Sequence, residues 1–175
     1  MNKTNIIQQL RRAFFALTIV GALFTLPSAE AGPPVPVSGT FTSCAGVPTV
    51  TQVGPNLIIT DDGIDTYTLA TSAPFDGTAV RTEHDVVFPD GSAATRATIV
   101  FTGSVSGRSG TFVMTEAGNV SASGVLNVHW VIDQGTGDLA GLHGNGTGCC
   151  VIPLDPDGCY VKVMASYSGQ IQFAP

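Results

Sequence analysis

The chain has 175 residues, with 7 Lys and Arg against 13 Asp and Glu, a formal charge of −6, and only 11% charged residues. That length suits one domain, and a hydrophobic content of 43% excludes a disordered chain. The acidic balance excludes a nucleic-acid binder, which needs Lys and Arg to neutralise phosphates.

The chain opens with Lys3, Arg11 and Arg12, followed by an uncharged apolar run from Ala13 to Leu26. Ala29-Glu30-Ala31 then places small residues at the −3 and −1 positions of a cleavage site. This is the layout of a secretory signal peptide over residues 1–31. The apolar run falls short of the roughly 20 residues of a spanning helix. Export to the periplasm or the cell exterior is therefore expected, with no membrane contact after cleavage. Arg11-Arg12-Ala13-Phe14-Phe15 also resembles a twin-arginine export signal, so both export routes stay open. Cleavage leaves Arg81, Arg96, Arg108 and Lys162 as the permanent cations. They are too few and too scattered to hold DNA, heparin-like polymers or anionic lipid.

After a Pro-rich leader, residues 32–36, the rest of the chain (37–175) reads as strand and turn. Candidate strands, rich in Thr, Val, Ile and aromatics, are Val37–Cys44, Asn56–Thr60, Thr66–Thr71, Thr78–Phe88, Ala94–Val105, Thr111–Ala117, Ala122–Asp133, Gly141–Cys150 and Cys159–Phe173. Turn signals separate them: Phe75-Asp76-Gly77, Pro89-Asp90-Gly91, Gly107-Arg108-Ser109-Gly110 and Asp155-Pro156-Asp157-Gly158. No window has a capped helical period. Alternation is clear: Leu126, Val128, Trp130 and Ile132 oppose Asn127, His129, Val131 and Asp133, and Val161, Val163, Ala165 and Tyr167 oppose Tyr160, Lys162, Met164 and Ser166. The expected fold is all-β, a single antiparallel β-barrel of about eight strands. A β-sandwich is the runner-up.

Cys44, Cys149, Cys150 and Cys159 make an even set, which in an exported chain points to two disulfides. A bond between the neighbours Cys149 and Cys150 would strain the backbone. The expected pairings therefore join Cys44 to one of that pair and Cys159 to the other. No metal site is expected, because zinc sites use C-x2-C pairs or added His ligands.

Gly103-Ser-Val-Ser-Gly107-Arg108-Ser-Gly110-Thr-Phe112 is followed by Gly135-Thr-Gly137-Asp-Leu139-Ala-Gly141-Leu142-His-Gly144. Together these stretches resemble a family of bacterial proteins of unknown function whose barrel is similar to that of plant allene oxide cyclase. The likeness runs from about Thr78 to Phe173. It implies a fold and carries no activity, since no residue matches the cyclase catalytic set. The segment Cys149–Cys159 departs from the plainer hairpin of that family. The spacing Gly135-x-Gly137-x-x-x-Gly141 also misses the dinucleotide pattern, and no helix follows to receive a pyrophosphate. No cofactor is expected.

Glu83-His84-Asp85 is the densest titratable cluster. On a strand, His84 shares a face with Val80, Thr82, Val86 and Phe88. If that apolar face lines the lumen, His84 points inward and could carry protons. Arg81 would then form a surface ion pair with Glu83 or Asp85. Glu116 shares a face with Phe112 and Met114, where burial would raise its pKa and suit it to proton transfer. It also stands next to Ala117-Gly118, where a strand end would let water in. Val80, Val86, Phe88, Phe101, Phe112, Met114 and Trp130 are the expected ligand-lining residues. Asp61-Asp62-Gly63-Ile64-Asp65 lacks the full calcium loop and reads as a turn. No Gly-x-Ser-x-Gly elbow occurs.

A wall of Val, Ile, Phe and Trp with few inward charges points to a barrel that binds a small apolar molecule. The competing readings are a cyclase or isomerase with His84 or Glu116 as proton carrier, and a solidly packed structural protein.

Overall fold

The computed structural model describes residues 32–67 and 74–174. The expected signal peptide lies outside these residues, as does most of the candidate strand Thr66–Thr71. Nine strands are present among the described residues: β1 Val35–Ala45, β2 Thr49–Val53, β3 Asn56–Tyr67, β4 Phe75–Val87, β5 Ala93–Val105, β6 Arg108–Val120, β7 Leu126–Gly137, β8 Leu142–Pro153 and β9 Val161–Phe173. Neighbours from β3 to β9 pair antiparallel in chain order, β9 pairs with β1, and β1 pairs with β3. That last pairing closes a barrel of eight strands, β1 and β3 to β9, with β2 as an extra strand. The expected barrel is thus the observed fold, and the sandwich is excluded.

The extra strand has a simple origin. β1 lays Phe41–Ala45 against Tyr67–Gly63, and β2 lays Thr49–Val53 against Thr60–Asn56. The two are one line of chain along β3, interrupted at Gly46-Val47-Pro48. Pro48 has no N–H to give to a ladder. Gly46 keeps contact through its N–H to Asp62 O at 2.9 Å.

Two turn readings are corrected. Asp61-Asp62-Gly63-Ile64-Asp65 lies within β3, and Phe75-Asp76-Gly77 opens β4. In both, ladder pairing overrides local turn preference. Pro89-Asp90-Gly91 does make a turn: Phe88 N–H bonds Ser92 O at 2.8 Å, and Asp90 Oδ1 accepts the Ser92 N–H at 3.0 Å. Between β5 and β6, Ser106 and Gly107 take φ of 52° and 80°, the positive pair of a two-residue hairpin turn.

One end of the barrel is filled. Phe75, Phe101, Phe112 and Tyr167 pack there, with Phe101 stacked on Phe112 at 4.6 Å between centroids. Val105, Leu139, Leu142 and Ile171 complete this end, and Ile99, Trp130 and Ile132 form the layer above. Apart from Leu139, which lies in the turn between β7 and β8, these come from the inward half of a period-2 alternation, as β5 shows with Thr95, Ala97, Ile99 and Phe101 all buried. The Trp130 indole needs space from its neighbours. Gly146 on β8 and Gly169 on β9 provide it, because a Cβ at either would overlap the ring. Trp130 Nε1 donates to Thr147 O at 3.2 Å.

The disulfides correct the expected pairing: Cys44 bonds Cys159, and Cys149 bonds its neighbour Cys150. Geometry explains why Cys44 does not reach Cys149. β9 stands between β1 and β8, and two strand spacings come to about 10 Å. Cys159 instead follows a turn that returns the chain to β1, where Tyr160 N–H bonds Ala45 O at 2.9 Å, so the Cys44 and Cys159 Cα atoms are 5.3 Å apart.

Candidate functional site

Above the Trp130 layer the barrel is not filled. A cavity of about 420 Å³ opens at the end where β1, β4 and β9 bring Ala45, Asp85 and Val161. Its walls include Phe41, Ile59, Leu126, Val128, Val163 and Ala165. Its polar corner comes from β1, β3, β4, β5 and β6: Ser43, Asp61, Arg81, Glu83, Asp85, Thr95 and Glu116.

Arg81 organises that corner. On β4 it shares the inward parity of Phe75 and Ala79, and it stands opposite Gly63 of β3. Because Gly63 has no side chain, the guanidinium can lie across it, and a Cβ there would meet Arg81 Nη2 at 2.8 Å. Arg81 Nε donates to Asp65 Oδ1 at 3.4 Å, and Nη2 donates to Ser43 Oγ at 3.1 Å. Nη1 lies 3.7 Å from Asp61 Oδ1 and pairs with Glu83. Thr95 Oγ1 donates to the other Glu83 oxygen, Oε1, at 2.8 Å. One cation therefore serves three carboxylates on two strands.

Burial acts on the rest. Asp65 is 0% exposed, and its pKa is raised because burial disfavours the charged form more than Arg81 and Ser43 favour it. Asp85 is raised for the same first reason, offset in part by the neighbouring Thr95 and Arg81. Glu116, opposite Ala97 on β5 and Trp130 on β7, is raised from 4.5 to about 7. Burial is the main cause, the Asp65 charge adds to it, and Arg81 opposes it. Glu116 can thus hold or release a proton near neutral pH.

Of the residues the sequence singled out, Glu116 lines the cavity. Met114 and Trp130 lie in the buried layer beneath it, and Phe101 and Phe112 lie deeper, in the packed aromatic end. The inward placement of His84, Val80, Val86 and Phe88 is corrected. His84 is exposed, Val80 is 58% and Phe88 39% exposed, and Val86 shares their outward parity. The surface pair Arg81 and Glu83 is in turn an interior one. The physical reason lies outside the barrel. Val80 stands directly opposite Ile64 and Val100, so the apolar face of β4 continues an outer row of β-branched side chains. The expectation of few inward charges falls with it. Phe75 and Ala79, three and one full alternations before Arg81 on the same face, are the signal that would have fixed the phase.

Among the described residues, no three of His, Cys, Asp and Glu converge in a way that could hold a metal ion. His129 and His143 are exposed and stand apart from the cavity.

Residues 68–150 match the model of a family described as "Protein of unknown function (DUF3224)". A solved structure from Shewanella oneidensis MR-1, described as a protein with unknown function from the DUF3224 family, is similar with a TM-score of 0.62. The two sequences are 19% identical, and the likeness covers 82% of this chain and 100% of that one. At that identity the likeness carries the fold. No curated protein matches the chain.

Proposed function

We propose that the chain is an exported barrel that binds a small molecule with an apolar body in the cavity above Trp130. The observation that carries this reading is the cavity itself: about 420 Å³, closed below by packed side chains and walled mainly by Phe41, Ile59, Leu126, Val128, Val163 and Ala165. That volume lies within the range of small-ligand sites, which are mostly apolar with a few placed polar groups. Export is supported by the apolar run Ala13 to Leu26 and agrees with the Cys44–Cys159 disulfide, a bond that persists in oxidising compartments. The Gly-rich motifs support a barrel of the allene oxide cyclase kind.

A second reading, an isomerase or cyclase acting in the lumen, is favoured by one observation. Glu116 lines the cavity with a pKa near 7, where a carboxyl group both accepts and donates protons efficiently.

Native mass spectrometry after incubation with a total cell lipid extract tests the binding reading. An added mass on the processed chain is expected, and it should disappear in Leu126→Trp, which fills the mouth of the cavity. An apo mass alone, or an adduct that survives Leu126→Trp unchanged, overturns it.

A further inference from the structure

We propose that the Cys149–Cys150 disulfide is a thiol-exchange site for external dithiols, and that opening it resets the cavity wall at Val151. The pair stands apart from the Arg81 corner, and its behaviour does not depend on a bound ligand.

Three non-glycine residues among those described have positive φ: Ser106, Cys150 and Asp157. Ser106 is in the turn between β5 and β6, and Asp157 is in the turn that contains Gly158. Cys150, at φ 62°, is instead within β8. An L side chain is costly in that region, so the surroundings must hold it there. The ladder shows what does so. Cys149 pairs with Ser166 of β9 and Ile152 with Met164, so Cys150 and Val151 together face the single residue Ala165. This is a bulge of one extra residue. On its other side, the pairing of β8 with β7 ends at Cys149 and Asn127. The bulge therefore has β9 alone as its sheet partner and the Cys149–Cys150 bond as its covalent closure.

The bulge shapes the cavity. It turns Val151 into the wall, where it stands with Val163 and Ala165. In an unbulged ladder Cys150 would stand opposite Ala165, and Val151 opposite Met164. One residue of slip turns each side chain over, so Val151 would leave the wall and Cys150 would enter it.

The two disulfides differ in what governs exchange. Cys150 is exposed to an incoming thiolate, whereas Cys44 and Cys159 are both half-buried. Cys44 is also laddered on two sides, to Ile64 of β3 and Lys162 of β9. Exposed disulfides on costly backbone are the readily reduced ones. One thiolate of the dithiol attacks Cys150 Sγ; the Cys149–Cys150 bond breaks, and Cys149 leaves as a thiolate that takes up a proton. The second thiolate attacks the reagent's own sulfur in the mixed disulfide, which closes a disulfide within the reagent and releases Cys150, protonated in turn. Two electrons pass from the dithiol to the cysteine pair.

Titration of the folded protein with dithiothreitol, followed by iodoacetamide alkylation and peptide mapping, tests the site. Cys149 and Cys150 should be alkylated at a dithiol concentration about tenfold or more below the one that opens Cys44–Cys159. Simultaneous opening, or opening of Cys44–Cys159 first, overturns the exchange site. Backbone NMR shifts read the wall. On reduction, Cys150 should move from left-handed to extended values, with changes centred on residues 149–154 and the facing part of β9. The double change Cys149→Ser with Cys150→Ser should give the same shifts without dithiol, which separates this bond from any effect at Cys44–Cys159. A residue 150 that stays left-handed after reduction, or in the double variant, overturns the reset of Val151.

Discussion

Glu116 gives the site a defined response to pH. Its folded-state pKa is about 7 against an ordinary 4.5, so the folded chain holds its proton more tightly than the unfolded chain does. Below about pH 4.5 both states are protonated and the group leaves stability unchanged. Between 4.5 and 7 the unfolded chain has released the proton and the folded chain has not, so stability falls as pH rises. Above about 7 the full loss stands, at most about 3 kcal/mol for a shift of this size. Glu116→Gln removes the titration. The variant should therefore match the wild type near pH 4.5 and be the more stable of the two near pH 8. Paired urea melts across that range check the sign, and a gap of opposite direction would show that Glu116 is held in its charged form. Asp65 and Asp85, also raised by burial, push wild-type stability in the same direction as pH rises.

At the scale of the strands, the narrow faces of β8 and β9 decide how the barrel is filled. Gly146 and Gly169 leave the slot that the Trp130 indole occupies, and that ring belongs to the buried layer beneath the cavity. Gly146→Ala should cost about 1–3 kcal/mol, because the added methyl forces the indole or the backbone to move in a packed layer. A melt that shows no loss would mean that Trp130 does not lie over β8. Much of this level was legible in the sequence. Alternation placed β5 to β7 and β9 within a few residues, and turn chemistry placed Pro89-Asp90-Gly91. Two features were not legible, for physical reasons. Asp61-Asp62-Gly63 has the composition of a turn, yet Asp61 faces Arg81 and Gly63 is where the guanidinium lies. β4 has its more apolar face outside, so hydrophobicity alone selects the wrong phase, and one residue of phase turns every side chain over. The corner around Arg81 was hidden by that single choice, while Glu116, on a strand whose phase was read correctly, was found.

At the scale of the whole molecule, the barrel has one end packed with aromatics and one end left open to an apolar cavity with a polar corner, and the ring closes through β1 on β3. The Cys44–Cys159 bond acts at that second end. It ties β1, next to Ser43 and its hydrogen bond to Arg81, to the approach of β9. Peptide mapping without reduction should recover Cys44 linked to Cys159. The double change Cys44→Ala with Cys159→Ala should lower stability by about 2–4 kcal/mol, the usual worth of a bond that spans a long loop. Recovery of Cys44 linked to Cys149 or Cys150 would contradict the strand order around β9. The most direct test of an enclosed, carboxylate-bearing interior is a carbon-13 NMR titration of the Glu116 side-chain carboxyl in the folded protein. The midpoint should lie at about 7. A midpoint at the ordinary 4.5 would place that carboxyl in water and contradict the account.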